Sequence, residues 1–190
     1  MISKRKQNRY IALLRAVNVG GNSIMSIESL KKLFESLGFS EVVTYIQTGN
    51  VLFGSTENNV DYLAHEIENK IFKTLGYKTK LFVLSPEELE EAALNNPFQP
   101  EKHEKTHRNH LMFLSGTPEE ALKKELMTLQ DKEYHFSIRG KVLYYGYSKE
   151  FDGKRRAINF EKILGVSGTS RTWKVINHLI ELSQSNKKQR

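Results

Sequence analysis

The order in which apolar periodicity changes between residues 10 and 84 constrains this chain most. Tyr10 to Val17 is a nearly continuous apolar run, the pattern of a strand buried on both faces. Asn18-Val19-Gly20-Gly21-Asn22 breaks it. Ile27, Leu30, Leu33, Phe34 and Leu37 then recur at helical spacing behind Ser26, a capping residue, and ahead of Gly38, a stop. Val42 to Gln47 and Val51 to Phe53 read as strands around the tight turn Thr48-Gly49-Asn50. Val60, Leu63, Ala64, Ile67, Ile71 and Leu75 mark a long helix closed by Gly76, and Lys80 to Leu84 is a fourth strand. The order βαββαβ is that of the ferredoxin-like, or α/β-plait, unit.

A similar order follows. Ser85-Pro86-Glu87-Glu88 begins a helix with a cap, a first-turn proline and a capping-box acid. Residues 95–109 are polar, hold two prolines and show no period, so they read as a connector. His110 to Ser115 is a strand, and Thr117-Pro118-Glu119-Glu120 repeats the cap logic before Leu122, Leu126 and Leu129. Tyr134–Arg139 and Val142–Tyr147 are strands joined at Gly140; a short helix near 158–164 and a last one from about Arg171 to Leu182 finish the run. The second half is therefore expected to be a βαββα-type unit without a clear final strand. The expected class is α+β, two ferredoxin-like halves with mostly antiparallel sheets. Its expected segments are a basic flexible tail (1–9), a first half (10–84), a helix with connector (85–109), a second half (110–182) and a basic flexible tail (183–190).

Charge narrows the function classes. The chain carries 29 Lys+Arg against 22 Asp+Glu, a net +7. Lys4, Arg5, Lys6 and Arg9 near one end and Lys187, Lys188 and Arg190 near the other equal that excess, so the body nets zero. Within the body, residues 149–174 hold seven basic and three acidic residues. No apolar run approaches the roughly 20 residues of a membrane span, and no secretory signal pattern follows the basic start. With no cysteine there is no disulfide framework and no thiolate metal site. The expected setting is cytoplasmic, without membrane contact.

Several residues could carry a site. Arg15 lies on a strand face with Ile11, Leu13 and Val17, where a guanidinium must be paired or reach solvent. It is read either as a structural ion pair or as an anion clamp beside Asn18 and the Gly20-Gly21 turn, whose backbone N–H groups a ligand could approach. Gln47 and Asn50 flank a turn and can serve the turn or line a cleft. Lys154 and Asn159, followed by Gly168-Thr169-Ser170-Arg171, form a second candidate anion feature. There Thr169 or Ser170 could cap the last helix and favour an anion at its N-terminus. His103, His107 and His110 raise a metal reading, which the irregular spacing and the absence of Asp or Cys argue against; no metal and no cofactor is expected. No Ser/His/Asp pattern or carboxylate pair marks a catalytic residue.

The motifs Leu14-Arg15-Ala16-Val17-Asn18-Val19-Gly20-Gly21-Asn22, Thr44 to Phe53, Asn96-Pro97-Phe98 and Gly168-Thr169-Ser170-Arg171-Thr172-Trp173, in that order, resemble domain-of-unknown-function family 1697, a bacterial family. The resemblance runs from about Tyr10 to Leu182. It implies two plait-like halves and brings no activity or catalytic residue. Such sequences often have Gly at the place of Ala16 and commonly read Thr-Arg-Asn-Trp-Asn-Thr where this chain has Ser170-Arg171-Thr172-Trp173-Lys174-Val175. The functional expectation is a small phosphate- or carboxylate-bearing ligand held in a polar cleft between the halves. The alternatives are nucleic-acid binding through the basic tails and residues 149–174, or a non-catalytic interaction module. Oligomeric state is left open.

Overall fold

A computed structural model describes residues 7–15, 25–46, 49–98, 107–148 and 158–185. They form two compact units. Unit 1 runs up to Glu90 and takes in the residues from Leu179 on; unit 2 is Glu91–His178.

Unit 1 contains β1 (Asn8–Leu14), α1 (Ile27–Ser36), β2 (Ser40–Tyr45), β3 (Asn50–Ser55), α2 (Val60–Leu75) and β4 (Leu81–Leu84), followed by α3 (Pro86–Leu94), whose last residues fall in unit 2. Its sheet has the order β2-β3-β1-β4, all antiparallel. This is the plait that the element order predicts. The helices start where their caps dictate. Ser26 Oγ accepts from the Ser29 N–H at 3.0 Å, and Asn59 Oδ1 accepts from Asp61 and Tyr62, both at 3.0 Å. Gly76 closes α2 at φ 68°, a left-handed position that glycine takes without a Cβ penalty. The capping box at α3 forms both of its bonds, Ser85 N–H to Glu88 Oε2 at 2.7 Å and Glu88 N–H to Ser85 Oγ at 3.1 Å. One face of the sheet carries Tyr10, Ala12, Leu14, Val51 and Phe53, buried with Leu30, Leu33 and Phe34 of α1 and Leu63, Ile67 and Ile71 of α2.

Unit 2 contains β5 (His107–Leu114), α4 (Glu120–Met127), β6 (Tyr134–Arg139), β7 (Val142–Ser148), α5 (Phe160–Leu164), β8 (Gly168–Thr172) and the start of α6 (Trp173–Ser185). The sheet order is β6-β7-β5-β8, again antiparallel throughout. The unit therefore goes one element further than the sequence reading and completes a second βαββαβ plait. Gly168–Thr172 reads as a loop and cap because no apolar alternation marks it, yet its backbone pairs with β5 from His110↔Thr172 to Leu114↔Gly168. Two local expectations are corrected. Thr169 and Ser170 lie in this strand and do not cap α6, which begins at Trp173. The cap expected from Thr117-Pro118 is not formed either, since α4 starts behind Glu119 with no side-chain cap bond.

Candidate functional site

In unit 1 two candidate residues, Arg15 and Asn50, lie at the end of β1. The strand stops at Leu14, short of the expected Val17, and Arg15 sits past its end as an exposed residue. Its backbone is held on both sides: the Arg15 N–H donates to the Lys80 carbonyl at 2.9 Å, and Thr79 Oγ1 donates to the Arg15 carbonyl at 2.8 Å. The next bond inward runs from the Leu14 N–H to the Gly49 carbonyl at 2.8 Å. The β2–β3 turn thus lies beside the same strand end. The β1–β4 register runs from Ile11↔Leu84 to Leu14↔Leu81. Continued by one step it sets Arg15 opposite Lys80, also exposed, with both on the face of Leu13 and Phe82 by strand alternation.

Asn50 is fully buried, and its side-chain Nδ2 donates to the Tyr45 carbonyl at 3.1 Å across the turn that it closes. That bond satisfies a turn in which Ile46 and Gly49 both take positive φ. Asn18, Gly20, Gly21 and Gln47 lie outside the described residues, as does Lys154.

In unit 2, Asn159 is the N-cap of α5, its Oδ1 accepting from the Lys162 N–H at 3.1 Å. Arg171 is 7% exposed, and its Nη1 donates to Thr169 Oγ1 and to the Ser170 carbonyl, each at 2.8 Å. Burial pulls its pKa down to about 10, so it stays charged at neutral pH. Thr172 Oγ1 accepts a long bond, 3.4 Å, from the Val175 N–H at the start of α6.

His107 and His110 are three residues apart on β5 and so face opposite sides of the sheet, and His103 lies outside the described residues. Among the described residues no group of three His, Cys, Asp or Glu could hold a metal.

Two arrangements escape sequence reasoning. On one face, Asn109, Gly146 and His135 form a single cross-strand row. Gly146 has no side chain, which lets His135 Nε2 meet Asn109 Oδ1 at 3.2 Å over its backbone; a Cβ there would collide with both atoms. Phe98, of the Asn96-Pro97-Phe98 motif, packs on the His135 ring at 4.3 Å. On the other face, the Tyr145 hydroxyl meets Ser170 Oγ at 2.8 Å, and the His110 ring stacks on Tyr145 at 4.8 Å and 7°. The residue types were visible in sequence; their juxtaposition depends on strand register.

Two plaits of one topology, in tandem, define a double α/β-plait protein. The chain belongs to the family described as Protein of unknown function (DUF1697), whose model matches residues 7–144. The Gly168–Trp173 motif lies beyond that match. The solved structure of the conserved bacterial protein SP0830 from Streptococcus pneumoniae is similar in fold, with a TM-score of 0.75 and 20% identity, covering 94% of this chain and 99% of that one. No match is found among curated proteins.

Proposed function

We propose that the chain binds a small phosphate- or carboxylate-bearing ligand at the strand-end corner of unit 1. The observation that supports this reading is the pairing of two exposed cations, Arg15 and Lys80, at neighbouring positions across the end of β1 and β4. Two cations on neighbouring strand ends form a locally positive corner, and a guanidinium and an ammonium both recognise phosphate and carboxylate oxygens. The Arg15 backbone is fixed by Thr79 and Lys80, which limits the entropy lost on binding. Lys80 joins the set through the fold alone. The reading includes a cytoplasmic setting. Among the described residues no helix is long and apolar enough to cross a membrane.

The test is a thermal-shift panel of phosphorylated and carboxylated small molecules on wild type, Arg15→Ala and Lys80→Ala. The expected result is a rise in melting temperature of wild type with at least one class, lost in Arg15→Ala and reduced in Lys80→Ala. A panel in which nothing shifts wild type, or in which Arg15→Ala responds equally, overturns the reading.

A further inference from the structure

Residues 70–80 and 81–98 adjoin in the chain and are opposite in charge. The first stretch holds Lys70, Lys73, Lys78 and Lys80 and no acid. The second holds Glu87, Glu88, Glu90 and Glu91 and no base. Both lie wholly within the described residues.

The basic stretch is the end of α2 and the loop behind it. Leu63, Ile67 and Ile71 are the buried stripe of that helix. At its last turn Phe72 is left 46% and Leu75 37% exposed. Lys78 Nζ stands 5.6 Å from the centre of the Phe72 ring, the range of a cation–π contact. Lys73 and Lys78 are both exposed. This face therefore offers apolar surface rimmed by positive charge.

The acidic stretch is centred on α3. Leu89 and Ala92 are its buried side. Glu87, Glu91 and Leu94 are spaced by four and then three residues, so they share the opposite face, and all three are exposed. Leu94 ends the stripe and is 87% exposed. This face offers an apolar residue behind negative charge.

A single exposed apolar side chain is ordinary on a protein surface. Two such faces of opposite sign on one chain are a matched pair. Both are exposed in the same molecule, so the match is made between molecules. The net charge sits in the two tails and the body nets zero, so two bodies meet without a net repulsion of their own.

We propose that the chain self-associates, the basic end of α2 on one copy docking on the acidic face of α3 on a second. Phe72 and Leu75 then pack against Leu94, with Lys73 and Lys78 set toward Glu87 and Glu91. The surface leaves Arg15 out and does not depend on the ligand reading.

The experiment is analytical ultracentrifugation of the full chain over a wide concentration range, at low and at high salt. The expected mass rises from the 22.0 kDa of one chain toward twice that value with concentration, and rises less at high salt, where exposed charges are screened. Lys73→Glu/Lys78→Glu and Glu87→Lys/Glu91→Lys, each with native melting, both stay at the mass of one chain. Mixed in equal amounts they associate, because the exchange restores opposite charges across the contact. Leu94→Ser weakens association on the order of tenfold, the scale of one apolar side chain no longer buried. Its exposure keeps the fold out of that result. The mass of one chain at every concentration overturns the proposal, whatever else the chain binds. So does association that neither charge-reversed variant weakens, or a mixture of the two that stays dissociated.

Discussion

The two units share a topology and differ in the length of their helices. The second helix of each plait makes the comparison sharp. In unit 1 it is α2, capped by Asn59, closed by left-handed Gly76 and 16 residues long. In unit 2 it is α5, capped by Asn159, closed by left-handed Gly165 and five residues long. The punctuation is the same and the length is not. Behind α1 and α2 the aromatic residues are sealed: Phe53 packs on Tyr10, Phe34 and Phe39 at 5.7, 5.3 and 4.6 Å, and all four belong to the buried cluster. In unit 2 Tyr134, Tyr145, Tyr147 and His110 carry polar tips and are partly exposed. The same fold thus holds a fully buried aromatic cluster in one unit and partly exposed aromatic residues in the other. Helix length, rather than topology, separates the two.

The largest expected effect lies in the closed core. Phe53→Ala should cost about 3–5 kcal/mol in urea melts, while Tyr147→Leu should cost far less. Equal losses would show that the unit 2 face is packed as tightly as a core, and would break the contrast. The next effect is pH dependence. His110 has a folded pKa of about 4 against 6.5 in the unfolded chain. Between those values the unfolded chain binds the proton and the folded one does not. Stability should therefore fall as pH drops from 6.5 toward 4, by on the order of 3 kcal/mol from this group. His110→Phe should flatten that part of the curve, and an unchanged slope would remove His110 as its source.

Gly146→Ala should cost about 1–3 kcal/mol, because the new Cβ takes the space in which His135 and Asn109 meet. Loss of the His135 ring-proton signature in NMR, alongside a lower melting temperature, checks it. The smallest effect tests the shared caps. Asn59→Ala should lose about 1 kcal/mol, and Asn159→Ala no more than that, since α5 has only one turn to fray. A larger loss at Asn159 would show that the short helix depends on its cap more than the long one does.

Much of the first unit was legible because its signals are local. Ser26 and Gly76 sit at the helix ends that the apolar period already marks. The final strand of unit 2 was not legible. Gly168-Thr169-Ser170-Arg171-Thr172 has no apolar alternation, and its strand state comes from pairing with β5, some sixty residues earlier. The candidate sites follow the same division. Arg15 was visible as a charge next to an apolar run. Lys80 was not, because only the antiparallel register brings it beside Arg15. Asn50 and Asn159 were visible as polar residues at element ends, but whether such an amide holds a turn, caps a helix or meets a ligand is not written in its neighbours.

By itself, then, the sequence determined the order of elements up to the last strand of unit 2, most helix limits and the neutral body between two basic ends. Those properties depend on residues within a few positions of one another, where period and capping act. The tertiary structure decided that Gly168–Thr172 is a strand, that Gly146 lets Asn109 reach His135, and that Tyr134, Tyr147 and Arg108 stand in one row. Each of these is a relation between strands far apart in the chain, and register between distant strands is set by the whole sheet at once rather than by any segment of it.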